Sequence, residues 1–404
     1  MLDSRRAAQE AARAYQTHDY RAFLTHAREA ERLRPAHGGA IYNLACAYAL
    51  TGDTAAALAM LDRFAGLGYA ADVAADSDLA ALRSTQGFQH VRQRLARNEA
   101  PLERSTVAFS LPERDLLTEG IAYDPQEKAF YLGSVHHRKI VRVDRRGRIG
   151  DFVPEGRDSL WAPLGMKVDP VRRALWVATA VMPQMAGFVP SDSGRSGIFR
   201  YDLASGRLTG RFLLPADDAF HVLGDLTIDR AGNVYAADSR SPAIYRVRAS
   251  GDTIQRFVSS PLLLAAQGLV LTPDERTMYV ADYSRGILRI DMASGAMSLL
   301  PTRDSVLALG IDGLYLIGGR LVGIQNGVIP HRVVRLTLSP AGDSVTAGEV
   351  LERAHPRYAE PTLGVVVGHD LYYVANSQWE RFGEDGHVAD PAVLLPPTVL
   401  RLRL

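Results

Sequence analysis

From residue 105 onward, apolar and polar positions alternate in short runs, and the runs recur in a fixed order. Six segments share it: GIAYDPQEKAFYLGS from Gly120, GMKVDPVRRALWVAT from Gly165, DLTIDRAGNVYAADS from Asp225, GLVLTPDERTMYVAD from Gly268, GLYLIGGRLVGIQN from Gly313 and GVVVGHDLYYVAN from Gly364. Each reads as an alternating run, a turn and a second alternating run, which is the pattern of a β-hairpin. A third apolar run follows every hairpin and carries an arginine at the same place: Arg142, Arg200, Arg246, Arg289, Arg335 and Arg401. Hairpin plus third strand, six times over, predicts a six-bladed β-propeller across residues 103–404. Residues 106–111 alternate as well, and the chain ends on a strand at 398–404, so the early strand is expected to join the last blade and close the ring.

Residues 1–99 have another character, rich in Ala, Arg, Glu and Leu with few β-branched residues, which is a helical composition. Between 41 and 69, Leu44, Ala45, Tyr48, Ala57, Leu61 and Phe64 fall where a tetratricopeptide repeat places its packing residues, with Thr51-Gly52-Asp53 as the turn. A degenerate copy before it and a final helical pair after it complete the expected stack. The predicted fold is therefore mainly β with an α N-terminal domain, a tetratricopeptide-like helical stack at 1–99 followed by the propeller. The stack serves either as a cap on the propeller or as a docking surface for a peptide or protein partner. In the second blade, residues 181–196 lack a strand pattern and read as an insertion placed where a binding loop or lid would lie.

Composition narrows the function. At 47% hydrophobic and 23% charged the chain is of globular type, and a formal charge of +1 gives no basic footprint for nucleic acid or a membrane surface. The arginines at 142–148 sit at a strand end and read as a solvated turn. Cys46, the only cysteine, allows neither an intrachain disulfide nor a cysteine-based metal site. No run is long enough to span a membrane, and residues 1–20 lack a signal-peptide core, so a soluble, cytoplasmic protein is expected, or a periplasmic or secreted one if a presequence was removed. There is no Gly-x-Ser-x-Gly elbow, His-Glu-x-x-His helix, Walker loop or dinucleotide fingerprint.

The string TEGIAYDPQEKAFYLGSVHHRKIVRVD, with GDLTIDRAGNVYAADS and QGLVLTPDERTMYVADY, resembles the family of senescence marker protein, gluconolactonase and luciferin-regenerating enzyme. The resemblance covers residues 105–404 and implies a six-bladed propeller that binds a divalent metal, often calcium, in its central tunnel and hydrolyses lactones or related esters. The family holds its metal with a Glu in blade one, Asn in blades three and four, and an Asp in blade five. Aligning the hairpins puts Glu119, Leu164, Gly224, Gln267, Asp312 and Leu363 at that position. Glu119 and Asp312 keep the family's ligand type, Gln267 is one methylene longer than Asn, and Gly224 has no side chain. Asp225 could substitute, although strand alternation is expected to turn it away. The resemblance gives Asp312 the proton-transfer role and makes Glu119 its partner at the ion. The alternative for both is a hydrogen bond to turn backbone or tunnel water.

Other polar residues end the second strands: Ser134, Thr179, Asp238, Asp282, Asn326 and Asn376. They either ring a cavity or fix turns. His136, His137, His221 and His331 are proton-shuttle candidates, with at most one of the adjacent pair expected to face the site. The leading expectation is an enzyme, a metal-assisted hydrolase of a small lactone or ester. Its rivals are a noncatalytic binding or scaffold propeller and a metal-free enzyme resembling strictosidine synthase.

Overall fold

A computed structural model of the chain describes residues 2–216, 219–383, 386–388 and 390–404. The N-terminal part consists of α1 (Leu2–Gln16), α2 (Tyr20–Leu33), α3 (Gly38–Leu50), α4 (Thr54–Gly66), a 3-10 turn at Ser77–Leu82 and α5 (Gln86–Glu99). Side-chain caps start the helices where the sequence changes: Asp19 accepts from Ala22 N at 3.0 Å, Asp53 from Ala56 N at 3.1 Å and Thr85 from Phe88 N at 3.2 Å. Ala45 and Ala57 are buried where α3 meets α4, so the helices approach closely, and Ile41, Leu61, Leu79, Leu82 and Phe88 fill the remaining space.

The rest of the chain forms six four-stranded antiparallel sheets. Their inner strands are Thr118–Asp124, Ala162–Asp169, Leu223–Ile228, Ala266–Leu271, Ile311–Ile317 and Gly364–Val367, blades one to six in order. The inner strands of blades one to five contact one another in succession, that of blade six touches the first, and Gly364 N donates to Tyr315 Oη between blades six and five. The expected closure is present: Thr106–Ser110 pairs with Thr398–Arg403 as the outermost strand of blade six, so both ends of the propeller chain lie in one sheet.

The repeated arginine is a packing device. Opposite it on the second strand stand Tyr131, Trp176, Tyr235, Tyr279, Val322 and Tyr372, five aromatics and one valine. Arg200 lies over the Trp176 ring at 5.3 Å and Arg401 over Tyr372 at 5.9 Å. Such cross-strand pairs shield ring faces while keeping the guanidinium near water. Arg145, Arg146 and Arg148 are exposed at a turn, as their spacing predicts.

The helical part packs on blade five. The core of the helices continues into Leu307 and Val328. Arg332, buried on the third strand of blade five (Arg332–Leu338), donates to Leu67 O at 3.2 Å, Gly68 O at 3.0 Å and Gln325 Oε1 at 2.7 Å. Arg353 adds bonds to Arg97 O and Ala100 O at 2.8 and 3.0 Å.

Candidate functional site

Five of the six inner strands carry a bulge at the same place, with two residues facing one on the second strand. The pairs are Glu119-Gly120, Leu164-Gly165, Gly224-Asp225, Gln267-Gly268 and Asp312-Gly313. A bulge adds a residue and re-aims its side chain. Glycine is required beside it because neighbouring strands come into contact: a Cβ on Gly120 would lie 2.0 Å from Leu164 O, and one on Gly268 2.5 Å from Asp312 O. The x-Gly pattern in the sequence is thus the trace of strands converging on one axis.

The bulges gather the carboxylates. The charge of Asp312 acts on Glu119, and that of Asp225 acts on both. Asp225 faces blade two, where its Oδ1 would lie 2.6 Å from a Cβ on Gly165, while the Gly224 position faces Gln267 of blade four; its charge still acts on both other carboxylates. Asp225 is buried, its Oδ1 lies 3.5 Å from Lys167 Nζ, and its Oδ2 has no hydrogen-bond partner. Gln267 compensates for the missing side chain of Gly224: a Cβ there would lie 3.3 Å from Gln267 Oε1, so the amide oxygen stands over the glycine. Leu164 and Leu363 are buried and close the equivalent positions in blades two and six with apolar groups.

Each carboxylate is oriented by its own donor. Trp379 Nε1 donates to Glu119 Oε2 at 2.7 Å. Asn326 Nδ2 donates to Asp312 Oδ2 at 2.8 Å, and Tyr283 Oη donates to Asn326 Oδ1 at 3.0 Å. Burial pushes the Asp312 carboxyl up to about 7, with the charges of Asp225 and Glu360 adding to the rise and the Asn326 bond opposing it. Glu119 is pushed well above the usual carboxylate range, first by desolvation and then by the charge of Asp312. Asp225 is raised by burial and held back by Lys167. The Tyr315 phenol is pushed up by burial and by Asp225, and Lys167 Nζ lies 5.8 Å from its ring. Buried acids that raise one another in this way favour a cation among them. Their oxygens, with the Gln267 amide and the unpartnered Asp225 Oδ2, are the donors calcium and magnesium take. Among the described residues, the carboxylate oxygens of Glu119, Asp225 and Asp312 do not all lie within 4.8 Å of one another, so the group surrounds the axis without closing into a cage.

The strand-end candidates separate into two kinds. Ser134 and Thr179 bond the backbone of Leu116 and Ala162. Asp238 accepts from Val222, Arg240 and Ser241 N, and Asp282 from Leu264, Ala265, Ser284 and Arg285 N. Asn376 bonds Thr398 N and Pro396 O. Those five fix turns and do not reach the carboxylates. In blade five Gln325 takes that duty, bonding Leu307 O and Leu309 O, and Asn326, one residue on, is released to the site. His221 is buried with Nδ1 2.6 Å from Asp238 Oδ2, away from the carboxylate group. His136 and His137 sit in a turn, so both rings share one environment, 4.8 Å apart, which corrects the strand-based expectation. His331 Nδ1 is buried without a partner.

Lys167, Tyr283, Tyr315, Glu360 and Trp379 belong to the site and escape sequence reading. Lys167 and Tyr315 look like ordinary strand positions. Trp379 comes from a long connection between the second and third strands of blade six, which joins the 181–196 insertion in one apolar cluster: Met185 and Phe188 from one, Trp379 and Phe382 from the other, with Leu164 beneath.

Six blades around a group of buried carboxylates define a six-bladed β-propeller with a polar centre. Residues 117–307 match the family described as SMP-30/Gluconolactonase/LRE-like region, so the resemblance read from the repeats is borne out. Among solved structures the chain is similar to the calcium-binding protein regucalcin of Agrobacterium tumefaciens, at 16% identity over 73% of this chain and 93% of that one, with a TM-score of 0.50. It is similar to luciferin-regenerating enzyme at 15% identity over 75% and 95%, also with a TM-score of 0.50. A gluconolactonase of Xanthomonas campestris aligns at 16% identity over 75% and 94%, with a TM-score of 0.47. No curated protein matches the sequence. At these identities the likeness speaks for the fold.

Proposed function

We propose that the protein is a lactone or ester hydrolase whose chemistry takes place at the inner-strand carboxylates, with a divalent cation, calcium by donor type, that would draw Glu119, Asp225, Gln267 and Asp312 together around it. The observation that carries this reading is Asp312, an inner-strand carboxylate raised to about 7 beside Glu119 and fixed by Asn326. A bound cation would supply polarisation of the acyl carbonyl. Asp312 near neutrality is suited to take a proton from water. The water oxygen then bonds the acyl carbon, the ring C–O bond breaks, and the proton passes from Asp312 to the departing alkoxide, leaving a hydroxy acid. Tyr283 and Asn326 hold Asp312 in position, Trp379 holds Glu119, and the Lys167 ammonium offsets the charge of Asp225. The match to the lactonase-type family over residues 117–307 supports the reaction class.

The test is hydrolysis of an aldonolactone such as glucono-δ-lactone with calcium present. Asp312→Asn keeps the shape and the Asn326 contact but removes the base, and kcat is expected to fall by about 10²–10⁴. Wild-type protein that leaves the lactone at its uncatalysed rate, or an unchanged kcat in the variant, would refute the assignment.

A further inference from the structure

A second cluster of metal-type side chains lies outside the carboxylate group, at the turn after the second strand of blade one (Ala129–Ser134). Asp115, His136 and His137 each bring a ligand atom within 4.8 Å of the others. Three features distinguish this cluster from an ordinary surface ion pair. The first is tautomer control: His136 Nδ1 lies 2.8 Å from Gln184 O, and a carbonyl only accepts, so Nδ1 carries the proton and Nε2 the lone pair. His137 has carboxylates at both ring nitrogens, Glu155 Oε2 3.4 Å from Nδ1 and Asp115 Oδ2 3.2 Å from Nε2. An imidazole anchored through one nitrogen to a carbonyl or carboxylate is the outer-shell arrangement of metal-binding histidines.

The second is an unmet need. His137 Nε2 is buried and makes no hydrogen bond, although Asp115 Oδ2 stands 3.2 Å and Glu113 Oε1 3.5 Å from it. The third is charge. Lys139 bonds Glu113 at 2.6 Å, but among the described residues Asp115 and Glu155 have no ion-pair partner other than His137.

We propose that Asp115, His136 and His137, with Glu113 as a further oxygen donor, form a zinc site. Two imidazoles and a carboxylate are a donor set that zinc takes in preference to calcium. Ser134 pairs with Thr118, the neighbour of Glu119, so this turn lies at the same end of blade one as the bulge. The His136 ring is 5.4 Å from Phe382, and Gln184 belongs to the 181–196 insertion. Zinc here ties the loop after the first strand of the propeller, the blade-one turn and the insertion together, stiffening the segments that pack beside Trp379.

The experiment is calorimetric titration of the full chain, stripped with a chelator, with zinc chloride at neutral pH. With calcium in excess to fill the axial site, one equivalent of zinc is expected to bind in the wild type and in Asp312→Asn. In His137→Asn and in Asp115→Asn zinc is expected to bind on the order of 100-fold more weakly. Thermal melts of the stripped variants verify that they fold, and zinc is expected to slow proteolysis within 181–196 in the wild type and in Asp312→Asn but not in His137→Asn or Asp115→Asn. No zinc uptake by the wild type would overturn the proposal and leave His137 as a plain ion-pair partner. Uptake unchanged in both His137→Asn and Asp115→Asn, or lost in Asp312→Asn, would overturn it as well.

Discussion

At the scale of single residues, the energetics of Asp312 make a direct prediction. Its ordinary value is 3.8 and in the folded protein it titrates near 7. Between those limits the folded state holds a proton that the unfolded chain has released, so this group's contribution to stability is greatest below the lower value and is lost as pH rises through the upper one. Glu119 and Asp225 are shifted in the same direction. Chelator-stripped protein is therefore expected to melt at a higher temperature at mildly acidic than at mildly alkaline pH, with a smaller slope in Asp312→Asn. Melting curves across that range check it, and a melting temperature that rises with pH would contradict the burial of these acids. Glu119 and Asp312 were legible in the sequence because their hairpins align. Asp225 was legible only as a possible stand-in for Gly224, since alternation counts residues and a bulge inserts one. Trp379 was invisible because it reaches Glu119 from a connection with no periodic pattern, and Asn326 was indistinguishable from its turn-fixing counterparts until Gln325 was seen to take their place.

At the scale of the element, the inner strand is the unit on which the site depends. The x-Gly bulge combines a side chain aimed at the axis with a backbone bare enough for the next blade to touch it. Gly120→Ala puts a methyl group against Leu164 O and is expected to destabilise the fold by about 3 kcal/mol, the upper range for overpacking. Chemical denaturation measures this, and a loss below ~0.5 kcal/mol would show that the strands can part without cost. The hairpins, third strands and arginines were readable because repetition makes a weak signal strong. The physical reason for the arginines, aromatic partners across the strand pair, needed the register. The 181–196 insertion was legible as an interruption, whereas its packing with Trp379 and Phe382 was not, because apolar contact between two irregular segments leaves no periodic trace.

At the scale of the whole molecule, two joints hold the parts together: the shared sheet of blade six, and Arg332 between blade five and the helices. Arg332→Ala would leave Leu67 O, Gly68 O and the Gln325 amide without their donor in a buried place, a cost of about 2–4 kcal/mol. Loss of stability with a separate early transition for the helices is expected in calorimetry, and an unchanged single transition would mean that the joint contributes little. No helix among the described residues is long and apolar enough to cross a membrane. The proposed cation site at the axis is made from strands far apart in sequence. Calorimetric titration of the stripped protein with calcium tests that most directly. One ion per chain is expected in the wild type, with binding abolished by Glu119→Gln. Absence of calcium binding by the wild type, or equal binding by the variant, would contradict it.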